Sequence, residues 1–159
     1  MHQQIINQGS YLYVKYYYSI KIDYIIGVIL ELERRIIIDT SSILFGFAYK
    51  KDIFQIVEDK FYGGKIAIST GVISELTGIS HKKGKNGAIA RFALLVLKSK
   101  KLKVYNINTN VDNWILRSSK KNDIVVTNDT ELSMRLRFKG ISVLKLTKNG
   151  TLRLFLNPI

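Results

Sequence analysis

The chain has 159 residues, with 25 Lys and Arg against 12 Asp and Glu, a formal net charge of +13 at pH 7. Its 47% hydrophobic content is too high for a disordered polypeptide, and at this length one domain around one core is expected. The absence of Cys excludes disulfide frameworks, thiolate metal sites and Cys nucleophiles, and suits a reducing, cytoplasmic setting. His2 and His81 are the only histidines, a poor basis for a His dyad or a zinc site, so chemistry is left to carboxylates, hydroxyls and backbone groups. The charge excess points to a polyanionic partner, nucleic acid or an anionic membrane. A membrane span is not expected: the apolar run at 25–30 is far short of the ~20 residues required and lies between Asp23 and Glu31. Nor does this region read as a cleavable leader, because Glu31, Glu33, Arg34 and Arg35 follow it.

Residues 1–33 differ from the remainder. Six of the nine Tyr lie there, and no acid precedes Asp23. Ile25, Val28, Ile29 and Leu32 have the spacing of a short amphipathic helix, and the segment reads as an appendage to a unit spanning 34–159. Within that unit a strand at 36–38 leads into Asp39-Thr40-Ser41-Ser42, and Ile53, Ile56, Val57 and Phe61 mark a helix. Gly63-Gly64 breaks the chain before a strand at 65–69 and a helix at about 71–78. A basic loop is expected at 80–87, followed by a helix carrying Ile89, Phe92, Ala93, Val96 and Leu97. Then come a strand at 103–105, a helix with Val111, Trp114, Ile115 and Ser118 on one face, and a strand at 124–127. A helix at 129–139 stops at Gly140, before a strand at 142–145. Near-continuous apolar strands alternating with helices predict a three-layer α/β/α fold with a mostly parallel central sheet. Such sheets carry functional groups at the carboxyl ends of their strands.

The few acids fall at those ends. Asp39 directly follows the strand at 36–38, and Asp129 follows Val125-Val126-Thr127-Asn128. Two carboxylates at adjacent strand ends repel unless a cation lies between them. Glu75 lies about one turn into the helix after Ser69, and Asp112 in the first turn of its own helix. Each residue taken singly has a structural alternative. Asp39 and Asn128 can cap helices, Asn128 and Glu131 having capping-box spacing; Asp112 can complement a helix dipole, and Glu75 can be a solvated helix residue. Four acids on one rim of a strongly basic chain point more towards a shared role.

The segments Ile36-Ile37-Ile38-Asp39-Thr40-Ser41, Val72-Ile73-Ser74-Glu75-Leu76, Val111-Asp112-Asn113-Trp114-Ile115-Leu116 and Ile124-Val125-Val126-Thr127-Asn128-Asp129-Thr130-Glu131-Leu132 resemble, in order and spacing, the four acidic motifs of PIN-domain ribonucleases. The likeness covers about 34–146 and is nearest to archaeal single-domain members, related to VapC-type toxins and to PIN nucleases of ribosomal RNA maturation. One departure is Asn113, where many relatives carry a second Asp. The resemblance implies a PIN-like fold and an endoribonuclease whose acids hold Mg²⁺ or Mn²⁺, leaving a 5′-phosphate and a 3′-hydroxyl. Asp39 and Asp129 would be direct ligands and Asp112 a direct or water-mediated one. Glu75 would orient or deprotonate the attacking water, or hold a second ion. Thr40, Thr127, Asn128 and Asn113 would stand behind the ligands. RNA is the implied partner, with a small antitoxin protein or a second copy of the chain as open alternatives.

Phosphodiester hydrolysis without His needs a source of hydroxide and a positive charge at the phosphate, and a divalent ion supplies both. Lys82, Lys83 and Lys85, in the basic loop, and Arg135 and Arg137, on the last helix, are candidates for phosphate contacts that carry no sequence information. A non-cleaving RNA-binding or protein-interaction module is the main alternative. A nucleotide-binding domain is weaker, because neither Gly-x-Gly-x-x-Gly nor a Walker loop follows any strand.

Overall fold

The computed structural model describes residues 34–155. The Tyr-rich segment and the helix expected around Ile25, Val28, Ile29 and Leu32 lie outside the described residues. In chain order the elements are β1 (Arg35–Ile38), α1 (Thr40–Ala48), α2 (Ile53–Lys60), β2 (Lys65–Ser69), α3 (Thr70–Ser80), α4 (Lys85–Ser99), β3 (Lys103–Tyr105), α5 (Val111–Ser118), β4 (Ile124–Val126), α6 (Thr130–Phe138), β5 (Ser142–Leu146) and β6 (Leu152–Phe155).

They form a sheet of order β3-β2-β1-β4-β5-β6 in which only the β5–β6 pair is antiparallel. From β1 the chain builds outward through β2 to β3, then returns to place β4 on the other side of β1. Right-handed crossovers in opposite directions put their helices on opposite faces. The packing agrees, with α1, α3 and α4 in contact on one face and α5 against α6 on the other. This is the three-layer α/β/α arrangement expected from the alternation. The central strands carry the core: Ile36, Ile37, Ile38, Val125 and Val126 have no solvent exposure, as covering on both faces demands.

Two elements were not legible beforehand. Helix α1 has no polar stripe to reveal it, because Ile43, Gly46 and Phe47 are buried and Leu44 and Phe45 half-buried around its circumference. Strand β6 buries only Leu152, so its sequence lacks the alternation of a half-buried strand. The basic loop is also shorter than expected: α3 runs on to Ser80, and α4 starts at Lys85.

The amino edge of the sheet is held by an ion pair. Arg35 donates from Nε to Asp123 Oδ1 at 3.1 Å and from Nη2 to Asp123 Oδ2 and to the Ser118 carbonyl. Asp123 is 5% exposed and also accepts the Lys120 amide at 2.8 Å. Breaking such a pair from one side strands a buried charge, whereas replacing both partners by apolar groups does not. Arg35→Ala should therefore cost about 3 kcal/mol in urea unfolding, and Arg35→Met combined with Asp123→Leu should recover most of that loss.

Candidate active site

Between β1 and β4 the chain connections run in opposite directions, which makes this pair the switch point of the sheet. Open α/β sheets bind ligands at such a switch point. The register pairs Ile38 with Val126, which sets Asp39 beside Thr127. The Asp39 amide donates to the Val126 carbonyl at 3.0 Å, and the side chain, 4% exposed, caps α1. Its Oδ2 accepts from the Ser41 hydroxyl at 2.5 Å, the Ser41 amide at 3.3 Å and the Thr127 hydroxyl at 2.9 Å. Ser41 Oγ in turn accepts the amides of Asn128 at 3.0 Å and Asp129 at 3.1 Å. Thr127 Oγ1 also accepts the Asp129 amide, at 3.1 Å. One serine hydroxyl thus fastens the end of β1 to the turn after β4.

The cap of α6 is Asp129, whose Oδ1 accepts the Leu132 amide at 2.8 Å. The Asn128–Glu131 capping box suggested by spacing does not form. Asn128 instead bridges to β5: its Oδ1 accepts from the Ser42 hydroxyl at 2.9 Å and the Leu146 amide at 3.2 Å, and its Nδ2 donates to the Leu146 carbonyl at 2.9 Å. Glu75, exposed in the second turn of α3, accepts from the Thr40 hydroxyl at 2.6 Å. Asp112 is half-buried in the first turn of α5, which is capped by Asn110 accepting the Asn113 amide at 2.8 Å. Asn113 itself is half-buried beside Asp112.

Glu75 and Asp112 are perturbed by burial and by neighbouring acids. Partial burial raises the Glu75 pKa above its ordinary value; the hydrogen bond from Thr40 opposes this, and the charges of Asp39 and Asp112 add to the rise. Asp112 is raised by burial and then by Asp39, Asp129 and Glu131, with Arg135 acting in the other direction. Arg135 is exposed on α6, its charge acting on Asp112, while Arg137 is half-buried. Titratable groups perturbed by burial and by neighbouring charges are candidates for a functional site. A concavity of about 1040 Å³ lies at the opposite edge, between Arg35, Lys65, Lys103 and Asp123, and includes none of these acids.

Among the described residues no three His, Asp or Glu side chains are gathered tightly enough to form a ready-made metal site. The donor set nevertheless suits a hard divalent cation, being all oxygen and short of positive charge. Asp39 and Asp129 each engage one carboxylate oxygen in the bonds above, and among the described residues no hydrogen-bond donor takes the other.

Lys82 and Lys83 are exposed in the turn between α3 and α4, and Lys85 is the first residue of α4. The turn is tightly built. Gly84 has φ of 90°, Arg91 Nη1 donates to the Ser80 carbonyl at 2.6 Å, and a Cβ on Gly87 would stand 1.8 Å from the Lys82 carbonyl oxygen. Sequence reasoning missed Ser41, Ser42 and Asn110. The hydroxyl run after Asp39 was visible, but the Ser41 partner lies 87 residues further on.

Residues 36–149 match the PIN-like domain family, and the chain belongs to that family. The solved PIN domain endonuclease Utp24 matches over 82% of this chain and 98% of its own, with 26% identity and a TM-score of 0.66. A domain of a functionally unknown protein from Methanocaldococcus jannaschii DSM 2661 shares the fold, with 20% identity and a TM-score of 0.55 over 72% of this chain and 91% of that one. Comparison with curated proteins finds no match.

Because the Glu75 and Asp112 pKa values are raised on folding, the folded state keeps these protons to higher pH than the unfolded chain. Their contribution to stability therefore falls as pH rises from the ordinary carboxylate range. Replacing both, Glu75→Gln with Asp112→Asn, should raise Tm relative to wild type by an amount that grows between about pH 4 and about pH 7. Scanning calorimetry at several pH values checks this; a difference that does not change with pH would contradict the raised pKa values.

Proposed function

We propose that the protein is a divalent-metal-dependent endoribonuclease. What supports this reading is the network of Ser41 and Thr127 that ties Asp39 to the Asp129 turn beyond the paired ends of β1 and β4, together with Glu75 and Asp112 pKa values raised by burial and in part by neighbouring acids. Membership of the PIN-like family and the likeness to an endonuclease support it. A net charge of +13 favours RNA as the partner.

Asp39, Asp112 and Asp129 would hold Mg²⁺ or Mn²⁺, which when bound supplies positive charge at the scissile phosphate and acidifies the attacking water. Glu75 would take a proton from that water, a role suited by a carboxylate whose pKa is raised. Water attacks phosphorus as the 3′-oxygen leaves, giving a 5′-phosphate and a 3′-hydroxyl. Thr40 holds Glu75 from behind, and Thr127 and Ser41 fix Asp39. Asn128 acts at one remove, anchoring the Asp129 turn to β5. Lys82, Lys83, Lys85 and Arg135 attract the phosphate backbone. The same chemistry serves a toxin, restrained by a small antitoxin protein, and a nuclease of ribosomal RNA maturation.

Incubation of structured and unstructured RNA with and without Mn²⁺, followed by end mapping, tests the reading. Cleavage should stop in EDTA, and Asp39→Asn or Asp129→Asn should each lower the rate by at least about 100-fold, the scale on which a single electrostatic contributor acts. Full activity in EDTA, or wild-type rates in both variants, would refute the metal mechanism. Replacing Lys82, Lys83 and Lys85 together by Gln should weaken binding about equally for all sequences and flatten the plot of log affinity against log salt by roughly 2 to 3 units. An unchanged slope would move the phosphate contacts elsewhere.

A further inference from the structure

At the amino edge of the sheet, the concavity of about 1040 Å³ runs past the starts of β1, β2 and β3 and the turn before β4. Lys101, Lys103, Lys120 and Lys121 line it and are exposed. The two acids in its lining are already engaged: Asp123 accepts from Arg35, and Glu58 accepts from Lys100 at 3.0 Å. Between the charges the walls are apolar, with Leu102 and Tyr105 half-buried and Ile66 buried. Next to Arg35, two buried polar atoms, Arg34 Nε and Ser118 Oγ, find no hydrogen-bond partner among the described residues.

We infer that the occupant of this concavity is the chain's own segment 23–33, folded back from Arg34 across the amino ends of β2 and β3. The charges are complementary. Asp23, Glu31 and Glu33 lie in that segment, and it contains no Lys or Arg. The same stretch carries Ile25, Val28, Ile29 and Leu32, apolar residues suited to the Leu102 and Tyr105 walls. Covalent continuity brings the two together: Glu33 is joined through Arg34 to Arg35, which itself lines the concavity. Three residues of extended chain span about 10 Å, and neighbouring strands lie about 4.8 Å apart. Glu31 can therefore reach the start of β3, which stands two strands from β1. A tethered segment has a high effective concentration at such a site, so ion pairs that are individually weak at a surface suffice to hold it. A separate polyanion would have to displace it. With these acids docked, the positive field of the amino edge is offset, and the lysines of the α3–α4 turn remain to attract nucleic acid.

Carbodiimide cross-linking of the full chain tests this, because the reagent joins a carboxylate to a lysine amine in contact with it as an amide, with loss of water. Equal parts of ¹⁴N- and ¹⁵N-labelled protein are mixed, and the linked peptides are mapped by mass spectrometry. Glu31 and Glu33 should link to Lys101, Lys103, Lys120 or Lys121 within one isotope type. In a second measurement the lysines are acetylated in wild type and in the full chain carrying Glu31→Gln with Glu33→Gln. The four lysines of the concavity should react faster in the variant, whereas Lys83, in the α3–α4 turn, should react at the same rate in both. Three results would each overturn the inference. Links found only between isotope types would assign the concavity to the segment of a second copy. An absence of links, with the four lysines equally reactive in both chains, would show that the segment lies elsewhere. Protection of those lysines by a single-stranded RNA to the same extent in both chains would assign the concavity to nucleic acid.

Discussion

The crevice depends on one hydroxyl. Ser41 Oγ donates its proton to Asp39 and accepts two backbone amides from the turn that follows β4, so it joins two segments that share no other covalent or helical frame. In parallel sheets the strand ends are aligned by register, but the loops beyond them are not held by the ladder. Here Ser41, Thr127 and Asn128 continue that alignment for three residues past the last paired position, down to Asp129. Without them Asp39 and Asp129 would be adjacent only on average. With them, two acids from distant parts of the chain stand on one rigid edge.

That edge carries like charges, and the helices lessen the cost. Asp39 and Asp129 are the N-caps of α1 and α6, and Asp112 lies in the first turn of α5, so three of the four acids face the positive end of a helix. Backbone amides and helix dipoles there each favour a negative charge by typically 0.3–1 kcal/mol. The structural explanation for these residues and the functional one are therefore not rivals. A carboxylate has two oxygens: one of Asp129 caps its helix, and the other is left for the crevice. Glu75 lies one turn further along its helix, and burial with the charges of Asp39 and Asp112 raises its pKa against the hydrogen bond from Thr40.

Much of this was legible because the signals are local. Three Ile followed by Asp, and two Val followed by Thr-Asn-Asp, announce strands that end on the carboxylate rim, and the net charge suits a polyanionic partner. What escaped depends on burial and on partners far away in sequence. Helix α1 is apolar nearly all round, so periodicity could not reveal it. Asn128 had the spacing of a cap, yet its side chain bonds to Leu146 because β5 lies alongside. Lys85 read as part of a loop, since the glycines around it look like chain breaks. One of them, Gly87, is instead a close-packing position inside α4.

Helix α1 also shows how the core holds the rim in place. Its cap is Asp39, its second residue positions that acid, and Phe45 one turn later lines a concavity between α1 and the α3–α4 turn. A helix of nine residues with buried Ile43, Gly46 and Phe47 cannot tilt or slide without disturbing the core. Gly46 makes the constraint explicit, because a Cβ there would come within 2.9 Å of the Lys51 carbonyl oxygen. The distance between the acid and the aromatic wall is thus fixed by packing that neither residue supplies.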